Sequence, residues 1–361
     1  MTHGQELKRR PLEGEYYNSV LVKDFDYYLP KELIAQEPIE HRDESRLMVV
    51  GRDGSIQHRK FSCLPEFLNP GDVLVLNDTR VMKARLLGMR EDTGGKVEVL
   101  LLAPVSDEER TWQALVKPGR RGRIGTKLVF DPCLSGEVVD IVESGVRVIR
   151  FSEDGDFESI VERIGRVPLP PYIEKDVEDA ERYQTVYARN LGSAAAPTAG
   201  LHFTPDLLNA VSKKGVGIAR LTLHVGLGTF RPVKVDVIEE HEMHAEYFEV
   251  TEEAKDVVNQ GIARGGRIVA VGTTSVRTLE SLPMTEDGKI LAASGLTCKF
   301  IYPGYRFKVV DSIVTNFHLP KSTLLMLVSA FSGYERIMSA YEIAVKERYR
   351  FFSFGDAMLL L

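Results

Sequence analysis

Hydrophobic and polar residues alternate in two different ways along the chain. Between residues 77 and 166, short runs rich in β-branched residues are separated by Gly, Pro and Asp, and this pattern predicts a small β-barrel or sandwich. The runs are 96–105, 111–119, 127–131, 137–142 and 146–152. From residue 167 onward, strand-like runs alternate with helical ones, which is typical of a layered α/β domain.

Individual elements outside the barrel segment follow from the same patterns. The run 46–50 predicts a strand, and 267–272 predicts a buried one. The segment 251–265 predicts an amphipathic helix that is capped by Thr251 and carries acids in its first turn. We therefore predict an α/β fold in which a layered main domain carries an inserted small β-barrel domain. The predicted bounds are 1–21 for a disordered tail, 22–76 and 167–361 for the main catalytic domain, and 77–166 for the insert.

Composition narrows the class of protein. The chain has 361 residues, a formal net charge of −6 and three cysteines without a CxxC pair. The negative net charge argues against a protein that binds nucleic acid over its whole surface, but it is compatible with a local basic patch. The cysteine usage suits a reducing compartment, and no run approaches a membrane span. We predict a cytoplasmic protein, and a monomer, because no coiled-coil pattern or long exposed apolar stripe is present.

Two glycine- and histidine-containing segments predict a ligand pocket. SAAAPTAGLHFT (193–204) places small residues before His202, and LHVGLGTFRPV (223–233) places glycines after His224. Backbone with little side chain lets a ligand approach closely. We interpret the two segments as two walls of one pocket for a flat, polar ligand; the alternative is two turns with ordinary histidines.

Three further segments carry candidate chemistry. RIVAVGTTSVRTLES (267–281) predicts a strand followed by a helix whose first turn attracts a carboxylate or phosphate, or alternatively a plain helix start. HEMHAEYF (241–248) puts His244 and Glu246 on one face if it is an extended strand; a metal site and a solvated surface are the alternatives. His318 ends the apolar run DSIVTNFHL, where α/β proteins commonly bind ligands, or it is a core histidine.

The insert contains a basic loop. KPGRRGRIGTK (117–127) has five positive charges and no acid, and NDTRVMKAR (77–85) adds more. Such charges suit phosphate contacts to a polynucleotide, although most basic loops are solvated surface. The residues that we predict to bind RNA phosphates are Arg80, Arg85, Lys117, Arg120, Arg121 and Arg123.

Together, the ordered segments of the chain resemble the S-adenosylmethionine:tRNA ribosyltransferase-isomerases of queuosine biosynthesis, from about Asp24 to Leu361. The motifs that carry the resemblance are DFDYYLPKELIAQEP, RDESRLMVV, NDTRVMKARL, GGKVEVLLL, PLPPYI, RYQTVYA, APTAGLHFT, LHVGLGTFRPV, HEMHAEYF, GTTSVRTLE, TNFHLPKSTLLMLVSAF and YRFFSFGDAML. The resemblance implies an α/β domain with an inserted barrel. It also implies transfer and isomerisation of the ribosyl moiety of S-adenosylmethionine onto 7-aminomethyl-7-deazaguanine at the tRNA wobble position. The product is epoxyqueuosine-tRNA, and adenine and methionine are released.

The implied chemistry assigns roles to the candidate residues. The sulfonium acidifies the neighbouring ribose 5′ hydrogens, so a neutral base near physiological pKa is needed; the candidates are His202, His224, His244 and His318, with Glu246 near the sulfonium. Candidates for S-adenosylmethionine binding are Thr198, Gly200, Phe203, Gly226, Gly228, Thr229, Phe230, Thr273, Thr274, Ser275 and Arg277. No metal and no cofactor is expected, because S-adenosylmethionine is a consumed substrate. The expected partners are this donor and a tRNA that bears the modified base, with no membrane.

Two other functions compete with this interpretation. An RNA methyltransferase would use the same donor but release S-adenosylhomocysteine, and its usual early Gly-rich strand–turn–helix is missing from the sequence. A non-catalytic RNA-binding module would show no turnover, and the clustered histidines and low net basicity argue against it.

Overall fold

The described part of the chain forms two compact units. The structure, a computed structural model, describes residues 20–106, 110–142, 145–170, 172–173, 179–226 and 233–361. Over these residues, the first unit draws on the segments Met1–Asp78, Pro197–Leu223 and Arg231–Leu361, and the second on Thr79–Ala196 and His224–Phe230. The predicted insert, 77–166, shares 79–166 with the second unit, which continues to Ala196.

The predicted tail, 1–21, falls largely outside the described ranges, which begin at residue 20. Val20 accepts a backbone hydrogen bond from Ile238 (3.1 Å), and Leu21 forms an antiparallel bridge with Val237. These two residues therefore belong to the fold of the first unit.

The first unit is built on a nine-stranded mixed sheet. With numbering along the whole chain, its strands are β1 (Arg46–Val50), β2 (Ile56–Lys60), β3 (Val73–Asn77), β12 (Gly217–Leu223), β13 (Glu246–Val250), β14 (Ile268–Val271), β15 (Ala293–Thr297), β16 (Ser312–Asn316) and β17 (Ala357–Leu360). They lie in the order β15-β13-β12-β3-β14-β16-β17-β1-β2. The central strands β3, β14 and β16 are buried throughout, as expected for parallel strands covered on both faces.

Helices complete the layers of the first unit. They are α2 (Pro205–Lys213), α3 (Glu252–Ala263), α4 (Gly272–Leu279), α5 (Thr323–Ser332) and α6 (Tyr334–Lys346). The hydroxyl of Thr251 accepts from the Ala254 N–H, and so caps α3 as predicted. Among the described residues, no helix is both long and apolar enough to cross a membrane.

The second unit contains a closed six-stranded barrel, which confirms the predicted fold class. Its strands are β5 (Arg85–Arg90), β6 (Lys96–Ser106), β7 (Thr111–Lys117), β8 (Lys127–Asp131), β9 (Leu134–Ile141) and β10 (Arg147–Glu153). The unit also holds the parallel pair β4 (Thr79–Val81) and β11 (Asn190–Ser193), and helix α1 (Phe157–Ile164). The sequence pattern did not predict α1, which buries Phe157, Ile160 and Val161 against the barrel core.

Strand directions bring several segment ends to one edge of the nine-stranded sheet. Strands β3, β12, β14 and β16 run parallel, so their carboxyl ends share an edge. Because β13 and β17 are antiparallel to β12 and β16, and β1 is parallel to β17, these three strands begin at the same edge. Asn77, Gly272, Asn316, Glu246 and Ser45 therefore lie along one line of loop ends, which we call the carboxyl edge.

Candidate functional site

A hydrogen-bond network centred on His202 lies at the carboxyl edge. Its Nδ1 lies 2.7 Å from the Ser45 hydroxyl, and its Nε2 lies 3.2 Å from the Asn316 amide nitrogen. The Thr198 hydroxyl donates to the carbonyl oxygen of the same Asn316 side chain at 2.8 Å. The network joins the turn 198–202, the start of β1 and the end of β16.

The partners of His202 fix its chemical state. An amide nitrogen only donates, so Nε2 accepts and the proton resides on Nδ1. The ring stacks on Phe61 with centroids 4.9 Å apart. Burial, with smaller effects from Arg350 and Arg42, lowers the pKa of His202 to about 3. His202 is therefore a neutral imidazole with both nitrogens engaged.

The two neighbours of His202 that were predicted to bind ligand are buried. Gly200 lies within the turn and donates its N–H to Pro197 at 2.8 Å. Phe203 packs edge-on against Phe61, with centroids 5.0 Å apart, and is fully buried. The aromatic side chain thus contributes to the core of the first unit.

Helix α4 begins directly at the carboxyl end of β14. Gly272 has φ +84°, a conformation that favours glycine, and a Cβ placed there would lie 3.7 Å from Ala199 of the turn 198–202. Within the described ranges, no side chain caps the first turn of α4. The hydroxyl of Ser275 bonds back to the Val271 carbonyl at 2.7 Å, whereas the buried hydroxyl oxygen of Thr274 has no hydrogen-bond partner among the described residues. Thr273 is buried in the same first turn.

Arg277 lies one turn further along α4 and is almost completely buried. Its Nη1 donates to Glu246 of β13 in a close ion pair, and its Nε donates to the Lys299 carbonyl at 2.9 Å. Its Nη2 is buried and has no partner among the described residues. Hydrogen bonds from two nitrogens thus fix the plane of the guanidinium. The third nitrogen, Nη2, remains available to donate a hydrogen bond to a ligand.

His318 follows the end of β16 by two residues, as the sequence predicted. Two tyrosines hold its backbone. The His318 N–H donates to the Tyr341 hydroxyl at 2.9 Å, and the His318 carbonyl accepts from the Tyr27 hydroxyl at 2.5 Å. Its Nε2 lies 2.8 Å from the Thr315 hydroxyl. Burial lowers the pKa of His318 to about 3, so the imidazole is neutral at physiological pH.

The segment that contains His244 differs from its prediction. Strand β13 starts only at Glu246, so His244 lies before the strand and is exposed, whereas Glu246 is buried against Arg277. His241 packs edge-on against Phe300, and burial lowers its pKa. Within the part of the chain that the structure describes, no group of three or more His, Cys, Asp and Glu side chains is placed to hold a metal ion.

His224 belongs to the second unit. Its Nδ1 lies 2.7 Å from the hydroxyl of Thr79, at the start of β4. Gly192 of β11 passes so close that a Cβ there would lie 2.7 Å from the His224 Nε2. Gly226 is partly buried. The predicted ligand residues Gly228, Thr229 and Phe230 lie outside the described residues.

Some of the predicted RNA-binding residues form ion pairs with acidic side chains, and others are exposed without such a pair in the described part of the chain. Arg80 pairs with Glu181 at 2.5 Å, and Arg85 lies 3.6 Å from Glu98. Lys117, Arg120 and Arg123 are exposed and have no ion-pair partner among the described residues.

The backbone of the basic loop is held by an arginine from β10. The Arg147 guanidinium donates to the carbonyls of Gly119 (2.8 Å) and Gly122 (3.1 Å). Arg121 donates to the Lys96 carbonyl at 2.5 Å. The loop therefore presents the exposed charges of Lys117, Arg120 and Arg123 from a fixed backbone.

Several residues at the carboxyl edge were missed by the sequence reasoning. Asp78 accepts from the Thr222 hydroxyl at 2.8 Å, and Asn77 exchanges two hydrogen bonds of 3.0 Å with the backbone of Leu223. Asn-Asp directly after the buried run VLVL was the signal for this pair, because polar residues at strand ends mark ligand sites. Ser45 and Asn316 carried no comparable signal.

Comparisons with known proteins agree with this architecture. The model of the family described as "Queuosine biosynthesis protein" matches residues 22–360. A protein of Symbiobacterium thermophilum named S-adenosylmethionine:tRNA ribosyltransferase-isomerase is 61% identical over 342 residues, 94% of this chain and 99% of that protein. A protein of Acetivibrio thermocellus with the same name is 59% identical over 341 residues, again 94% and 99%.

A solved structure is similar as well. The crystal structure of S-adenosylmethionine tRNA ribosyltransferase from Thermotoga maritima is 42% identical, with a TM-score of 0.53, and the match covers 94% of this chain and 100% of that one. The chain therefore belongs to the queuosine biosynthesis family, as its motifs implied.

Proposed function

We propose that the carboxyl edge of the first unit binds S-adenosylmethionine and that His318 accepts a proton from it. The chain is an S-adenosylmethionine:tRNA ribosyltransferase-isomerase, the activity named for its near full-length relatives. It transfers and isomerises the ribosyl moiety of the donor onto 7-aminomethyl-7-deazaguanine at the tRNA wobble position, with release of adenine and methionine. The methyltransferase alternative has no support among these relatives.

The observation that carries the proposed donor site is the pair of unpartnered groups on α4. Thr274 and Arg277 are three residues apart, so their side chains are neighbours on the helix surface. The Thr274 hydroxyl and the Arg277 Nη2 lack partners among the described residues, and such buried groups normally find one. A carboxylate accepts from both kinds of donor, and the uncapped first turn of the helix favours the same charge. We assign this position to the methionine carboxylate of the donor.

Glu246 has a different role in this proposal from the one implied by the resemblance. Its carboxylate is paired with Arg277, so it orients the guanidinium. A charged residue held in this way needs no rearrangement when the ligand arrives, which lowers the cost of binding. Glu246 is thus a positioning residue.

His318 is better placed to act as the base than His202 or His244. His202 has both ring nitrogens engaged, and His244 is exposed. His318 is buried at the carboxyl edge, its backbone is held by two tyrosines, and Nδ1 has no hydrogen-bond partner among the described residues. Burial keeps the imidazole neutral at physiological pH, so one ring nitrogen carries a lone pair and no proton.

Product analysis tests the proposed function. The protein is incubated with S-adenosylmethionine and tRNA that carries the aminomethyl base, and the small molecules and digested nucleosides are identified by mass spectrometry. We expect free adenine and free methionine in equal amounts. S-adenosylhomocysteine with a singly methylated base would instead establish a methyltransferase, and binding without any product would leave an RNA-binding module.

The assignment of His318 is tested in the same assay. His318→Gln keeps an amide that can bond with Thr315 but has no basic nitrogen, and we expect adenine release to slow by ~10²–10⁴-fold. His244→Gln is the control, because that side chain is exposed, and it should retain most of the activity. Full activity of the His318 variant would remove His318 from the mechanism.

Three further properties remain predictions. They are the absence of a cofactor, the monomeric state and the cytoplasmic location. Dialysis against a chelator before the assay tests the first, and light scattering at working concentration tests the second.

A further inference from the structure

A groove of about 650 Å³ lies beside the end of β16 in the first unit. It is lined by Asp26, Tyr27, Tyr28, Leu29, Ile34, Leu319 and Pro320. The Tyr28 side chain is 82% exposed, although the groove beside it is largely apolar. A concave, mostly apolar groove with an aromatic wall and a few polar groups is the usual form of a site for a flat ligand.

The two walls of the groove are tied together without help from Tyr28. The Tyr27 hydroxyl donates to the His318 carbonyl at 2.5 Å, and the Tyr27 ring packs edge-on against Tyr341 at 5.1 Å. The backbone N–H of Lys321 donates to the Phe25 carbonyl at 2.9 Å. The groove is therefore preformed, and removal of the Tyr28 ring leaves its walls in place.

One carboxylate lies at the groove. Asp26 pairs with Lys321 at 2.7 Å, and each side chain is 49% exposed. Exposed ion pairs of this kind stabilise a protein little. A cationic group of a ligand can therefore take over the Asp26 carboxylate at small cost, while Lys321 turns to solvent.

We propose that this groove receives the aminomethyl-bearing deazaguanine base of the tRNA. Tyr28 stacks on the flat ring, and Asp26 accepts from the ammonium of the aminomethyl group; the inference rests on the proposed function. A base on which chemistry is done must leave its stack, and an aromatic side chain repays part of that cost. A ring face together with a carboxylate also suits an organic cation.

The position of the groove agrees with this occupant. Leu319 and Pro320 directly follow His318, so the groove adjoins the residue proposed to receive the proton of the donor. Adenine of the donor is the other flat ring in the reaction. Adenine carries no ammonium group, however, and so leaves the Asp26 carboxylate without a cationic partner.

Binding of a labelled anticodon stem-loop, followed by fluorescence anisotropy, tests the stacking. Tyr28→Ala should weaken binding of the RNA with the aminomethyl base by ~10-fold, the size of one lost stacking contact. Tyr28→Phe keeps the ring and should bind within about twofold of the unchanged protein. The KM for S-adenosylmethionine should stay the same in both variants. A raised KM for the donor, with RNA binding unchanged, would place adenine in the groove and overturn the proposal.

The role of Asp26 is tested by comparing two RNAs that differ only in the base. Asp26→Asn should weaken binding of the aminomethyl RNA by roughly 10–100-fold, as expected for a lost charge-assisted hydrogen bond. It should leave the guanine RNA unaffected. Lys321→Asn is the matched control: it removes the same ion pair but keeps the carboxylate, and Asn tolerates the φ of +58° at this position.

The control separates recognition from structure. If Lys321→Asn loses the preference for the aminomethyl RNA as Asp26→Asn does, the ion pair supports the fold only, and the proposal is wrong. If both Tyr28→Ala and Asp26→Asn bind and react like the unchanged protein, it is also wrong. Failure of the proposed function is a separate result, because the unchanged protein would then release no adenine and methionine.

Discussion

The carboxyl edge of the first unit and the basic loop of the second unit use polar residues in opposite ways. At the carboxyl edge, His202, Arg277 and His318 are buried and held by specific partners. In the basic loop, Arg120 and Arg123 are exposed, and the groups fixed by hydrogen bonds are backbone carbonyls, through Arg147.

The difference reflects what each region must recognise. Proton transfer and carboxylate binding need groups fixed to a fraction of an ångström in a site shielded from water, where electrostatic interactions are strong. A phosphate backbone is a string of identical charges, and exposed cations bind it at long range without exact geometry. A buried ionic group therefore affects stability, binding and catalysis together, whereas an exposed one affects only binding.

The largest effect is expected where this contrast is greatest, at the Arg277–Glu246 pair. Arg277→Met removes the guanidinium that pairs with the buried Glu246 carboxylate, and we expect a loss of ~3–5 kcal/mol in the free energy of unfolding, measured with urea. The double variant Arg277→Met with Glu246→Met should recover most of that stability. It should still bind S-adenosylmethionine poorly, because the proposed contact with the methionine carboxylate is gone.

An exposed ion pair of the same unit provides the control for that experiment. Lys289 and Asp287 lie 2.6 Å apart, and both side chains are more than half exposed. Lys289→Met should leave the unfolding midpoint nearly unchanged. Equal losses at both pairs would mean that burial does not distinguish the two kinds of charge in this protein.

Acid should destabilise the first unit through its buried histidines. The pKa of His202 and of His318 is about 3 in the folded protein, below the ordinary value of 6.5. Below pH 6.5 the two imidazoles bind protons in the unfolded chain but stay neutral in the folded protein. The free energy of unfolding therefore falls as the pH falls from about 6.5 toward 3. Each histidine contributes ~1.4 kcal/mol per pH unit to this slope.

Urea unfolding at several pH values between 4 and 7 measures that slope. His202→Gln should flatten it by the contribution of one histidine and should give the largest relative gain at the lowest pH. A slope identical to that of the unchanged protein would show that His202 is protonated in the fold.

The smallest effect is expected in the basic loop. Arg123→Gln removes one exposed charge, so the affinity for tRNA should fall only severalfold, and the slope of log affinity against log salt should become shallower by about 0.7–0.9. Arg90→Gln is a matched change in the same barrel, because Arg90 is neutralised by Asp92 at 2.5 Å. Equal effects of the two variants would mean that the loop has no particular role in binding tRNA.

Much of the fold could be predicted because local sequence patterns determine its secondary structure. The period of the hydrophobic residues distinguished the barrel segment from the α/β segment, and Thr251 marked the start of α3 where the structure has it. Helix α1 was missed because its eight residues, 157–164, form too short a periodic run after a series of strands. Glu246 was expected to share a strand face with His244, but the strand begins at Glu246 and so the two side chains separate.

By itself, the sequence determined the fold class, the family and the identity of most polar groups at the candidate site, since ordered motifs and periodicity are properties of the chain. Only the tertiary structure decided which of these groups meet. Ser45 and His202 are 157 positions apart, and Glu246 and Arg277 are 31 apart. Their contacts depend on the order and direction of strands in the nine-stranded sheet, which are set by long-range packing of many residues and leave no trace in the local alternation of hydrophobic and polar positions.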